Sequence, residues 1–399
     1  MRPSIQYRFL AVTLSLLLAA CGGGGGSSLY TPKIVSSEAQ TIAAVPSSSA
    51  TLLTHTMRAV GGGETNATSL LFIPNGTPPA GGWPLVAWAH GTTSVAKASC
   101  APSQTADLDG GLKAEGFDSN YATIIASLVD AGYAVVAPDF EGLGPAASGK
   151  YPYYNSASES RSLIAAARAA RQVDSSIASR WAVVGHSEGA RGALAMQDFL
   201  DEATDLDFRG TVALAPFVSM AAAVDTLGGL VTLDPGNGPT YRTIQNLFVA
   251  MLTTAARVVT PTLDVEATMG ADLAALMPVL QDNCIFASFG AFAQTIAPSD
   301  PEEFQGFRSD WASAPGMDEF LATNDIGAST SFSLKAPTLI AQGTNDVFVL
   351  KSTTDALVTK LETPTAPTLT YKTFDGADHG TIVTEAIPDV LSFLAERLQ

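Results

Sequence analysis

From about residue 85 onward, short runs of consecutive apolar residues alternate with stretches whose apolar positions recur every three or four residues. The continuous runs 85–89, 133–137, 181–184, 208–215, 337–342 and 369–374 predict strands buried on both faces. The segments 121–131, 157–173, 189–200 and 382–398 carry the helical period and predict helices between or after those strands. Strand and helix in regular alternation predict a mostly parallel central sheet with helices on both of its faces. Two earlier strands, 51–60 and 69–74, with Gly61, Gly62 and Gly63 as turn material between them, open the domain.

The alternation stops between residues 217 and 335. Within that insertion Ile244, Leu247, Phe248, Met251, Leu252 and Ala255 recur at helical spacing and form an apolar stripe. Such a stripe serves equally as a helix burying its own core and as a cap whose apolar face covers a pocket.

The first twenty residues interrupt the picture differently. Arg2 and Arg8 precede a ten-residue apolar run, too short to cross a bilayer comfortably, and the pattern is that of an export signal. It ends in Leu18-Ala19-Ala20-Cys21, which resembles a bacterial lipobox and implies cleavage before Cys21 and lipidation of that cysteine. A glycine-rich tether follows, so the expected order is signal (1–20), lipidated Cys21 with its tether (21–30), and one folded domain (31–399). In an exported chain the two other cysteines, Cys100 and Cys284, read as a disulfide, with two separate buried thiols as the alternative. Hydrophobic residues make up 46% of the chain and charged ones 15%, which suits a large core and excludes general disorder. A formal charge of −17 argues against a nucleic-acid partner, whose phosphates it would repel.

Candidate chemistry centres on Gly185-His186-Ser187-Glu188-Gly189. The G-x-S-x-G pattern alone is common, but here it joins a predicted strand to a predicted helix, the setting of a nucleophile elbow. Glycines at both ends allow the sharp turn, which lifts the Ser187 hydroxyl above the sheet. A serine hydroxyl needs a base. Of the four histidines, His55 lies far upstream, His90 ends a strand and His186 is held inside the turn. His379 follows the last strand, at the sheet edge where ligands collect, and is the expected base. Asp346, in the loop after 337–342, is the expected acid, in the chain order serine, acid, histidine. Asp375 and Asp378 are closer to His379 in sequence, but adjacency along the chain is not the required geometry. The backbone amide of Glu188 is the first expected oxyanion donor; Thr92, or failing it Gly91, in the loop after 85–89, is the second.

Together these residues resemble the α/β-hydrolase superfamily over nearly the whole mature chain. Within it the chain is similar to the secretory lipase family of microbial extracellular lipases and esterases. The matching segments are Ala89-His90-Gly91-Thr92-Thr93, residues 136–144, residues 165–171, the elbow, the loop ending in Asp346, and Asp378-His379-Gly380. The resemblance implies a helical cap inserted at about 217–335, and action on carboxylic esters, acylglycerols included. The expected reaction is two-step acyl transfer from an ester to water through Ser187, with no metal or organic cofactor. A serine peptidase of the same fold acting on short peptides is the second reading. A surface lipoprotein that binds without catalysis is the third.

Overall fold

The computed structural model describes residues 29–147, 150–363 and 367–399; the segment expected to be a signal and Cys21 lie outside the described residues. Among the described residues nine strands form one sheet: β1 (Ile34–Gln40), β2 (Ser49–Arg58), β3 (Glu64–Ile73), β4 (Trp83–Ala89), β5 (Ala134–Pro138), β6 (Ile177–His186), β7 (Asp207–Leu214), β8 (Thr338–Gly343) and β9 (Leu369–Phe374). Their spatial order is β1-β2-β3-β5-β4-β6-β7-β8-β9. Strands β4 to β9 pair in parallel, whereas β1, β2 and β3 form an antiparallel extension joined to β5. Every residue of β4, β5 and β8 is buried, as expected of strands covered on both faces.

The predicted strands from β2 onward are present, most with ends shifted by a few residues. Strand β1 has no counterpart in the expectation. It is an edge strand whose pattern of half-buried and exposed positions (IVSSEAQ) has no continuous apolar run to mark it. The helices packed on the sheet include α1 (Tyr121–Asp130), α2 (Ser156–Val173) and α3 (Glu188–Ala195). Beyond α3 the chain tightens into a 3₁₀ segment, Met196–Ala203, instead of continuing to residue 200 as one α-helix. The closing helix is also two, Ile382–Glu385 and Ile387–Leu398, divided where Pro388 opens the second one. Proline lacks an amide hydrogen and fits the first turn of a helix, not its interior.

Between β7 and β8 the chain leaves the sheet and forms α4 (Met220–Leu233) and α5 (Gly238–Val259), followed by shorter helices, the longest being Ile285–Ile296. The apolar stripe of α5 performs both roles at once. Ile244, Leu252 and Ala255 are buried in packing, while Leu247, Phe248 and Met251 line a cavity over the sheet edge. Among the described residues no helix is long and apolar enough to cross a membrane.

Cys100 and Cys284 are joined by a disulfide that spans 184 residues of chain. It ties the start of helix Ile285–Ile296 to the loop after β4. A backbone hydrogen bond from Ile285 to the Thr93 carbonyl (2.9 Å) runs beside it, and the Glu115 carboxylate accepts from the amides of Phe286 and Ala287 (2.9 Å each).

Candidate active site

Strand β6 ends at His186 and α3 begins at Glu188, so Ser187 alone makes the turn between them. Its backbone stands at φ 56°, ψ −118°, a region that L-residues rarely adopt. The amide of Ser187 donates to Leu214 O (2.9 Å) on β7, and its carbonyl accepts from Arg191 and Phe217 (3.1 Å each), so the strained turn is held on both sides. The flanking glycines are required by close approach. A Cβ on Gly185 would lie 2.3 Å from Gly189 O, and one on Gly189 would lie 2.1 Å from Ala89 O. Gly189→Ala is therefore expected to cost roughly 1–3 kcal/mol in stability and to displace the serine. A denaturation midpoint measured beside an activity assay would show both effects.

His379 lies between β9 and helix Ile382–Glu385, and its Nε2 stands 3.0 Å from Ser187 Oγ. Its Nδ1 stands 2.7 Å from Asp346 Oδ2. The other Asp346 oxygen accepts from the amides of Phe348 (2.9 Å) and Val349 (2.8 Å), which fixes the carboxylate. Ser187, Asp346 and His379 are all nearly buried, and the rings of Phe117 and Phe348 flank the imidazole with centroids 6.1 and 5.6 Å away. A hydroxyl, an imidazole and a carboxylate in this sequence can move the hydroxyl proton onto the imidazole while the carboxylate stabilises the cation. Asp375 and Asp378 serve the loop instead: Asp378 accepts from the amides of Gly380 (2.9 Å) and Thr381 (2.8 Å).

The two first-choice amide donors behave alike, and the alternative does not. The amides of Glu188 and Thr92 have no hydrogen-bond acceptor among the described residues. Gly91, the expected alternative to Thr92, does not have a free amide: it donates to Tyr121 Oη (2.9 Å). That contact belongs to a relay absent from the sequence expectations. His186 Nε2 lies 2.8 Å from the carbonyl of His379, which can only accept, so Nε2 carries the hydrogen. His186 Nδ1 is then the acceptor for the Tyr121 hydroxyl (2.9 Å), which in turn accepts from Gly91. Burial, and secondarily the neighbouring His379, hold His186 well below the ordinary histidine range, in keeping with a neutral ring. The relay links the loop that carries Thr92 to the backbone of His379.

Above Ser187 opens a cavity lined by side chains of α1, α5, helix Ile285–Ile296 and the loop at Phe348. Phe117, Phe217, Phe248, Phe286 and Phe289 make its wall largely aromatic, and among the described residues no Asp, Glu, Lys or Arg contributes to the lining. Apart from the hydroxyls of Ser187 and Thr92, its polar atoms come from Tyr121, Tyr153 and the two histidines.

Beneath the elbow lies a second group that was not anticipated. The Glu188 side chain points into the protein, hydrogen-bonded by Tyr151 Oη, and Arg191 pairs with Glu159 from α2; all three charged side chains are fully buried. Reading Glu188 for its amide alone missed this. The available signal was Glu159, an acid set among serine and alanine on the inward face of α2.

Comparison with known proteins agrees with this architecture. No curated protein sequence matches the chain. Among solved structures, the rice cell wall degrading esterase LipA from Xanthomonas oryzae superposes with a TM-score of 0.66 at 18% identity, covering 91% of this chain and 97% of that one. Candida antarctica lipase A in its closed state superposes with a TM-score of 0.67 at 17% identity, covering 93% and 85%. Both share the fold with this chain. The sequence profile of the alpha/beta hydrolase family matches residues 80–390, from just before β4 into the last helix. With the parallel sheet, the elbow and this match in hand, the chain belongs to the alpha/beta hydrolase family.

Proposed function

We propose that this chain is a serine carboxylic-ester hydrolase that works through an acyl-enzyme. The observation that carries the reading is the continuous hydrogen-bonded array Ser187–His379–Asp346 opening on an uncharged, aromatic-walled cavity. Ser187 Oγ attacks the ester carbonyl carbon as His379 Nε2 takes its proton. The carbonyl oxygen gains negative charge and is held by the free amides of Glu188 and Thr92. As the tetrahedral intermediate collapses, the bond to the alcohol oxygen breaks and His379 returns the proton to that oxygen. Water then repeats the sequence on the acyl-serine and releases the acid.

The cavity favours an apolar acyl group over a peptide. A short-peptide substrate presents a charged terminus, and among the described residues no Asp, Glu, Lys or Arg of the lining is placed to meet it. An esterase and a lipase among the structures of the same fold agree with this choice of substrate class. The disulfide fits an oxidising compartment, and with the lipobox-like segment ending at Cys21 it supports an exported chain held at a membrane by a lipid.

The test is hydrolysis of p-nitrophenyl butyrate and p-nitrophenyl palmitate beside labelling with an organophosphate serine probe. Turnover of either ester, with one equivalent of probe bound at Ser187, is the expected result. A folded protein that binds no probe and hydrolyses neither ester would overturn the proposal and favour a binding role. The palmitate-to-butyrate ratio separates lipase from carboxylesterase.

A further inference from the structure

The buried group under the elbow does not balance in charge as it stands. Glu188, Glu159 and Arg191 are each shielded from solvent, and two carboxylates facing one guanidinium leave an uncompensated negative charge. Isolated charge in a protein interior is costly, and groups so placed neutralise instead. The hydrogen bonding has a gap in the same place. Glu188 Oε1 accepts from Tyr151, and Glu159 Oε1 accepts from Arg191. The second oxygen of each carboxyl, Glu188 Oε2 and Glu159 Oε2, is buried with no donor of its own among the described residues. The two carboxyl groups lie within hydrogen-bonding reach of one another. One proton placed between them removes both faults.

We propose that Glu188 and Glu159 share a single proton in a carboxyl–carboxylate hydrogen bond, and that this neutral assembly makes Glu188 a positioning residue for the oxyanion site. Two carboxyls, one proton and the Arg191 guanidinium sum to zero charge. This matters for catalysis because the amide of the same residue, Glu188, faces the carbonyl oxygen as it becomes negative. A second full negative charge a few bonds below that amide would oppose the developing oxyanion. The proposal rests on the reading of the Glu188 amide as an oxyanion donor, but the shared proton itself does not.

The surroundings favour the protonated form. Burial raises Glu188 above the ordinary carboxylate range, the charge of Glu159 raises it further, and the Tyr151 hydroxyl, Arg191 and Thr92 oppose the shift only in part. Burial also raises Glu159, against the pull of Arg191. The other titratable groups facing the cluster are Tyr121 and Tyr153 beside Glu188, and Tyr154 and Asp325 beside Arg191. These tyrosines and Tyr151 are themselves pushed up by burial and stay neutral, and burial raises Asp325 too. Arg191 also stacks on the Tyr154 ring, 4.1 Å from its centroid, and donates to Ser156 Oγ (3.0 Å) and Asn324 O (3.1 Å), so it is fixed in place.

Because burial lifts both carboxyls above the ordinary range, the proton is held at neutral pH and leaves as pH rises through about 8. Wild-type kcat/KM for p-nitrophenyl butyrate is therefore expected to fall about tenfold or more over that alkaline limb. In Glu188→Gln the amide donates to Glu159 and has no proton to lose, and in Glu159→Gln the one remaining carboxylate is balanced by Arg191. Both variants are expected to lose the alkaline limb. Independently of any turnover, infrared spectra of the wild-type protein at pH 7 are expected to show the carbonyl stretch of a protonated carboxyl that is missing in both variants. If that band is absent, the shared proton is overturned whatever the enzyme hydrolyses. If the band is present but wild type and both variants keep superimposable alkaline limbs, the positioning role is overturned and the proton is structural. Loss of all ester turnover with the band intact would fault the esterase reading and leave the proton in place.

Discussion

Alanine at position 187 is expected to lower kcat for p-nitrophenyl butyrate by about 10⁶-fold, with KM little changed. Removing the nucleophile of a serine triad has an effect of that size because the three residues act as a unit. The same logic predicts that His379→Ala is nearly as damaging, and that the double variant is little worse than either alone. Asp346→Asn should cost less, on the order of 10⁴-fold, since serine and imidazole stay in contact while the tautomer is wrong. Stopped assays with purified, folded variants, checked by circular dichroism, measure all of these. Additive losses would mean that Ser187 and His379 do not act together, despite the 3.0 Å contact. A Ser187→Ala protein with wild-type turnover would move the nucleophile elsewhere.

The second large effect concerns the disulfide. A bond that closes a loop of 184 residues removes chain entropy from the unfolded state worth about 5 kcal/mol in the loop-closure model. Cys100→Ser combined with Cys284→Ser is expected to lower the unfolding free energy by roughly 2–5 kcal/mol, read from denaturant midpoints. The location adds a functional component. The bond pins the helix that supplies Ile285, Phe286 and Phe289 to the cavity wall, close to the loop that carries Thr92. The double serine variant should therefore raise KM for the palmitate ester as well as lose stability. A variant of unchanged midpoint and unchanged KM would show that the hydrogen bonds at Ile285, Phe286 and Ala287 hold the wall without it.

Much of this site could be read from the chain because its chemistry is sparse. Four histidines leave few candidates for a base, and the run from Trp181 into Gly189 announces strand, turn and helix within a dozen residues. The parallel strands were legible for a related reason: burial on both faces demands continuous apolar residues, and those stand out. What stayed hidden depends on contacts between distant segments. Whether Gly91 or Thr92 offers a free amide is decided by Tyr121, 30 residues away, whose hydroxyl occupies one of them. The inward turn of Glu188 is set by Tyr151 and by the charge of α2, and no local pattern records either. Strand β1 escaped because a half-exposed edge has no need of an apolar run. The α5 stripe left two roles open, and residues four apart on that helix divide between them.

The relay through His186 bears on where a proton can travel. A chain of hydrogen bonds running from the interior to the base looks like a wire, and a wire would let the proton taken from serine leak away. This one does not conduct. One end is the amide of Gly91, which cannot accept a replacement proton, and the other is the carbonyl of His379, not its ring. Passing a proton along it would need His186 to become a cation in surroundings that disfavour the charge. The relay is thus an insulator, and under the proposed mechanism it offers the proton collected by His379 no route away from the departing alcohol.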